Sequence, residues 1–373
     1  MKKRFVVLIE DDFEIKGNGF GNVADLQYLP ALALCNIAKK HAVKATFMVD
    51  VAHLLILKNY AEENRNIQLQ KTILEETLLI IKEQGFDVQL HLHPQWLGAS
   101  LTDGQFQVSS NWNIGTYTES EQRLLVTQSM KYLHGLIQPH FPNYRIIAFK
   151  AGAWGLQPSG SFLSACIQSG IRIILAVRDG MRAPDAGIDY TNLEEKHLPY
   201  HPQPSDITKV NDLPNELVVL PLQPFAPDPL SLFILATDTV RRKLCSVSDS
   251  VYYEANLNTR STNNLSPLAC KNKLRFSLRP YLTHLKIGNQ PFSYLKRSFD
   301  HVIGRLRNYE LKRIPVVIES HTKQLCGYYK HIDRFLGYIR EKYHDEVEFS
   351  DLTSFLSEIE ANPKLLRYKQ NHN

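Results

Sequence analysis

The residues best suited to chemistry stand at the ends of apolar runs. In "FDVQLHLHPQW" (86–96), Val88, Leu90 and Leu92 fall on one side of an extended chain, and Asp87, Gln89, His91 and His93 on the other, because side chains of a strand alternate with period two. Two imidazoles on one face suit a metal ion, although a single H-x-H is a weak signal. Five further runs end in the same manner. "RFVVLIEDD" closes on Glu10, Asp11 and Asp12, "KATFMVD" on Asp50, and "RIIAFK" on Lys150. "IRIILAVRD" closes on Arg178 and Asp179, and "IPVVIESH" on Glu319, Ser320 and His321. Two histidines and a carboxylate leave open positions on Zn²⁺ or a similar divalent ion. Asp11 and Asp12 are the obvious source of the carboxylate. As neighbours in a strand they point to opposite faces, so both reach one site only if the strand loosens there. The glycines of "DDFEIKGNGFGN" would permit that.

The elements that must carry these groups alternate along the chain. Strands are predicted at 4–10, 44–50, 86–93, 145–149, 171–177 and 314–320. Helical spacing covers 24–41, 66–84, 118–138, a stretch from Ser159, and most of 323–360. This alternation predicts an α/β barrel or an open parallel sheet, in which the carboxyl ends of the strands form one rim where active sites are built. Residues 178–313 are less orderly. Proline-rich stretches such as "LPYHPQPSD" and "PLQPFAPDPL" read as loops wrapped on the barrel. The expectation is one domain, 1–373, with 178–313 holding a long irregular, partly basic insertion.

With 373 residues, 43% hydrophobic and 22% charged, the chain reads as globular. Its net charge of +5 is concentrated: eleven Lys or Arg between 271 and 313 face only Asp300 and Glu310. Such a stretch suits an anionic partner, namely an acidic glycan, a lipid-linked phosphate or a membrane surface touched peripherally. Nothing has the motif or aromatic spacing of a nucleic-acid module. No run approaches the ~20 apolar residues of a membrane span. The apolar start, Phe5 to Ile9, is shorter than a secretory core. Cys35, Cys166, Cys245, Cys270 and Cys326 are odd in number and scattered, which argues against a disulfide framework and for a cytoplasmic location.

"LIEDDFE", "KATFMVD", "GFDVQLHLHP", "AFKAGAWG" and "VVIESHTK" together, in this order, resemble the motifs of the polysaccharide deacetylase family, the NodB-homology group or carbohydrate esterase family four. The combination of "HLHP", the A-G-x-W-G stretch "AGAWG" and "SHTK" is similar to deacetylase-like proteins of lipopolysaccharide and O-antigen biosynthesis. The resemblance covers roughly residues 4–97, 145–200 and 314–360. It implies a distorted (β/α) TIM-like barrel that removes N-acetyl groups from a sugar of a surface polysaccharide or its lipid-linked precursor. By the same resemblance, Asp12, His91 and His93 bind the metal, Asp11 is the catalytic base and His321 the general acid. Lys150 stands where the family has an arginine, and keeps the charge without the bidentate fork. The spacing between the histidines is two rather than four. A bound Zn²⁺ would bring the pKa of water toward about 7 and polarise the acetyl oxygen, helped by a backbone N–H near Ala153–Trp154. Trp154 and Trp96 would stack on sugar faces or cap the barrel, while His53 and His134 read as ordinary helix residues. Two other readings compete. One is an amidohydrolase-type metal enzyme, which places H-x-H on its first strand. The other is a non-catalytic glycan-binding protein on the same scaffold.

Overall fold

A computed structural model describes residues 3–244 and 282–362. Eight strands form one parallel sheet: β1 (Arg4–Phe13), β2 (Thr46–Asp50), β3 (Asp87–Leu92), β4 (Ala148–Ala151), β5 (Ile173–Leu175), β6 (Val218–Val219), β7 (Arg313–His321) and β8 (Val347–Ser350). They lie in the order β6-β5-β4-β3-β2-β1-β7, curled into a half-barrel, with β8 also paired to β1. The helices include α1 (Leu29–Lys40), α2 (Val51–Tyr60), α3 (Arg65–Glu83), α4 (Glu119–Ile137), α5 (Gly160–Gln168) and α6 (Pro229–Leu244). They continue with α7 (Phe292–Leu306), α8 (Tyr329–Lys342) and α9 (Leu352–Ala361).

Strand parity decides what faces the lumen. Odd positions of β1 (Phe5, Val7, Ile9, Phe13) pack in one core with Ala31, Leu34 and Cys35 of α1. Even positions (Val6, Leu8) join Met48, Ala148, Leu175, Val218 and Val317 in a second core inside the barrel. The same even parity then sends Glu10 and Asp12 into the lumen above that core. β1 divides its partners on one edge: Phe5–Leu8 pair with β8, and Glu10–Phe13 pair with β2. Its other edge is paired with β7 throughout, with Asp11 opposite Ser320 and Asp12 opposite His321.

The gap between β6 and β7 is crossed by residues 283–287. Thr283 exchanges backbone hydrogen bonds with Phe225, and Leu285 and Ile287 bond to Glu319 of β7. Leu285 and Ile287 pack in the outer core, so His284 and Lys286 turn inward. The stretch predicted to be an irregular insertion therefore supplies a sheet strand, two helices and this bridging strip. Its cationic residues do not form one free patch among the described residues. Arg297 pairs with Asp228, Arg307 with Glu346, and Arg313 with Glu348 and Glu358. Arg305 donates to the Pro224 carbonyl and Lys296 lies over the Tyr338 ring. Lys271, Lys273, Arg275 and Arg279 lie outside the described residues. No helix among those described is long and apolar enough to cross a membrane. Cys35 and Cys166 are buried free thiols, but Cys326 is disulfide-bonded.

Candidate metal centre and its buried charge network

β1 remains regular through Phe13, so Asp11 and Asp12 keep opposite faces. Asp11 lies on the helix side, where burial first and Asp11 next push the Cys35 thiol well above its ordinary range. Burial raises the Asp11 carboxyl itself to about 7, with Ser320 and the Thr322 backbone opposing. Asp11 therefore does not join the lumen groups, in contrast to the catalytic-base role implied by the resemblance. The glycines that could have loosened the strand fall after it.

The acid that meets both histidines is Glu14, two residues beyond Asp12. Ligand atoms of Glu14, His91 and His93 all lie within 4.8 Å of one another. Glu14 Oε2 is in close contact with His93 Nε2 and lies 3.5 Å from His91 Nε2, while Lys323 Nζ donates to Oε1 at 2.6 Å. The His91 Nδ1–H donates to the Lys150 carbonyl at 2.9 Å, which leaves Nε2 as a bare lone pair, buried and without a hydrogen bond. His93 Nδ1 lies 3.2 Å from Gln95 Oε1 and 3.0 Å from Gln95 Nε2, which is also 3.3 Å from the Gly17 carbonyl. The other ring nitrogen of His93, Nε2, faces Glu14. Burial works most strongly against a charged His93, yet the charge and hydrogen bond of Glu14 together with the Asp50 charge raise the imidazole to about 9. The donor set N, N, O and the bare His91 Nε2 fit a divalent ion of the zinc type.

Asp12 stands beside this triad rather than in it. Its Oδ1 lies 2.8 Å from Lys150 Nζ and its Oδ2 3.1 Å from His321 Nε2. Lys150, 1% exposed, also donates to Glu10 at 2.8 Å and to Glu319 at 3.0 Å, so its three N–H bonds meet three carboxylates. Burial favours neutral acids throughout. It prevails at Glu10, which is raised well above the ordinary range. At Asp12 and Glu319 burial is opposed by Lys150 first and then by neighbouring histidines, with Lys286 also at Glu319, and both are lowered. His321, flanked by Asp12 and Glu319, is nonetheless lowered to about 3 by burial and by Lys286, and is neutral.

Asp50 accepts from the His93 backbone N–H at 3.1 Å and from the Trp96 indole N–H at 2.9 Å. Trp96 is 3% exposed and stacks on His53, whose ring burial lowers to about 3. It braces Asp50 and has no face open to a sugar. Trp154 is half-buried at the rim, with Arg178 4.9 Å over its ring. Ala153 and Trp154 both hold positive φ (49° and 57°), and Tyr190 donates to the Trp154 carbonyl at 2.8 Å. Two successive non-glycine residues in the left-handed region are strained, and such strain gathers at functional sites.

Sequence reasoning thus brought together Asp12, His91, His93, Lys150 and His321, and overlooked Glu14, Gln95 and His284. Parity was the signal for Glu14: the face that holds Glu10 and Asp12 next holds residue 14.

The half-barrel fold is shared with solved structures described as polysaccharide deacetylases. Among solved structures, a protein of Mycobacterium smegmatis assigned as a polysaccharide deacetylase superposes with a TM-score of 0.52 at 12% identity, over 100% of this chain and 95% of that one. A Pseudomonas aeruginosa PAO1 protein with the same assignment matches at 0.48 and 11% identity, over 96% and 91% of the two chains. Puue allantoinase matches at 0.48 and 10% identity, over 96% and 90%. Neither the family models nor the curated proteins searched give a match.

Proposed function

We propose that the protein is a metal-dependent hydrolase that removes the N-acetyl group from a sugar of a surface glycan or its precursor. The observation that carries this reading is the convergence of Glu14, His91 and His93 beside Asp12 and His321 at the barrel mouth. A divalent ion held by Glu14, His91 and His93, zinc being the natural choice for this donor set, supplies Lewis acidity toward water and the acetyl oxygen. Lys150 keeps Asp12 ionised, and Asp12 accepts the proton of the attacking water. His321, neutral at rest, takes that proton across the 3.1 Å contact and releases it to the departing amine nitrogen. Acetate and a free amino sugar result. The half-buried Trp154 offers its outer edge to the sugar ring, and the chain works as one barrel domain.

The test joins elemental analysis with acetate release from N-acetylglucosamine oligomers, offered free, phosphorylated and lipid-linked. Stoichiometric metal lost in Glu14→Gln, with acetate release lost in Asp12→Asn at unchanged metal content, supports the reading. A folded protein that takes up no zinc, cobalt, nickel or manganese and releases no acetate sinks it. That result would favour glycan binding without catalysis, a reading motivated by the locking of Lys150 among three carboxylates, where a lysine lacks the fork of an arginine.

A further inference from the structure

A chain of polar contacts runs from the rim to Asp12, and one member lies outside every motif considered so far. Arg178 NH1 is 3.3 Å from His284 Nδ1, and His284 Nε2 is 2.7 Å from Glu319 Oε2. Glu319 Oε1 in turn accepts from Lys150, which also holds Asp12. A guanidinium has only donors, so Nδ1 of His284 must be the bare, accepting nitrogen. The single ring proton then sits on Nε2 and points at Glu319.

From this geometry we infer that His284 is a positioning residue for the proposed hydrolysis. Arg178 locks its tautomer, so that Nε2–H holds Glu319 and, through Lys150, fixes Asp12 beside the metal triad. The inference rests on the reading of Asp12 as proton acceptor. Direct contact with substrate plays no part in it, because His284 is 3% exposed and lies below the rim. Three observations support it. The ring is buried, and burial keeps it neutral despite the Glu319 charge, so it serves as a hydrogen-bond donor and leaves Lys150 as the cation facing Asp12. The backbone beneath it is fixed twice, by the Thr283–Phe225 pair and by the Leu285 and Ile287 bonds to Glu319. The Trp154 ring stands edge-on to His284 at 5.9 Å, closing its remaining side. Glu319 is thereby fixed at Oε1 by Lys150 and at Oε2 by His284, with Lys286 Nζ 3.5 Å from Oε2, so the carboxylate that shares Lys150 with Asp12 keeps one orientation.

Two variants and one spectroscopic measurement test this. A glutamine at 284 can donate to Glu319 and accept from Arg178, whereas a leucine of similar size can do neither. His284→Leu is expected to lower kcat by ~10–100-fold, as for lost supporting contacts, with KM for N-acetylglucosamine oligomers and metal content unchanged. His284→Gln is expected to restore kcat to within about threefold of the native value, which a purely structural role would not require. Independently of turnover, ¹⁵N-histidine NMR of the zinc-loaded protein should show one imidazole, absent in His284→Gln, with a bare Nδ1 and a protonated Nε2. In Arg178→Met that tautomer signature should be lost or mixed. If the native protein releases no acetate, the proposed function fails and the catalytic part of this inference with it, while the NMR result still decides whether Arg178 sets the tautomer by which His284 holds Glu319. A protonated Nδ1 at His284, or equal kcat in the leucine and glutamine variants, overturns it.

Discussion

Glu14 and Asp11 make opposite predictions although they are three residues apart. Glu14 is the carboxylate whose oxygen lies with both histidine Nε2 atoms, and Asp11 faces α1. Glu14→Gln should therefore weaken metal binding by ~10-fold or more, in line with the loss of a ligand or its close support, while Asp11→Asn leaves it intact. Competition with a chelating dye reads both; loss in Asp11→Asn with retention in Glu14→Gln would remove Glu14 from the ligand set. The pair also predicts a pH dependence. Burial pulls His93 down, but Glu14 raises it to about 9, so at pH 7 the ring carries a proton that a bound ion must displace. Apparent affinity should rise with pH up to about 9, by ~10-fold per unit, with close to one proton released per ion. Calorimetry in two buffers of different ionisation enthalpy measures that number, and a value near zero contradicts the protonated His93–Glu14 pair.

The closeness of strand ends matters as much as the ligands they carry. Gly152, just past β4, runs beneath His93: a Cβ there would lie 2.6 Å from the Leu92 carbonyl oxygen and 2.7 Å from the His93 ring. Gly152→Ala should preserve the fold by circular dichroism yet cut metal affinity by ~10-fold or more through displacement of a ligand ring; unchanged affinity would mean that the histidine is not fixed by β4. Element by element, the sequence was most legible where a strand is long and buried on both faces. β1, β3 and β7 were visible as apolar runs, and their polar ends marked the rim. β6 has two residues and β8 four, too short for a period to register, and both owe their pairing to neighbours supplied by the sheet. The 283–287 strip is held by Phe225 and Glu319, contacts invisible without the fold, and His284 was missed with it. The placement of Asp11 turned on a different point. Adjacent acids share a site only if the strand loosens, whereas pairing with β7 as far as Asp12 and with β2 as far as Phe13 keeps β1 regular.

At the scale of the whole molecule, the barrel closes around charge as well as hydrocarbon. Val6, Leu8, Met48 and Val317 fill the lower lumen, and Lys150 with Glu10, Asp12 and Glu319 fills the layer above. Desolvating such a cluster is expensive, and the lysine makes it tolerable by giving each carboxylate a donor. Replacing it with the isosteric but uncharged methionine leaves three buried acids facing one another. Lys150→Met should destabilise the fold by about 3–5 kcal/mol near neutral pH, the cost of stranding partners of a buried pair. The pH dependence should then invert. In the native protein, Asp12 and Glu319 have lowered folded values, so their contribution is present above the unfolded range of about 4 and is lost as pH falls through the folded values. Without Lys150, burial dominates and raises these acids. The folded state then binds more protons than the unfolded state, and the variant recovers stability as pH falls from 7 toward 5. Urea denaturation at pH 7 and pH 5 decides the matter. A native-like pH response in Lys150→Met would show that the lysine is not what keeps the lumen carboxylates ionised.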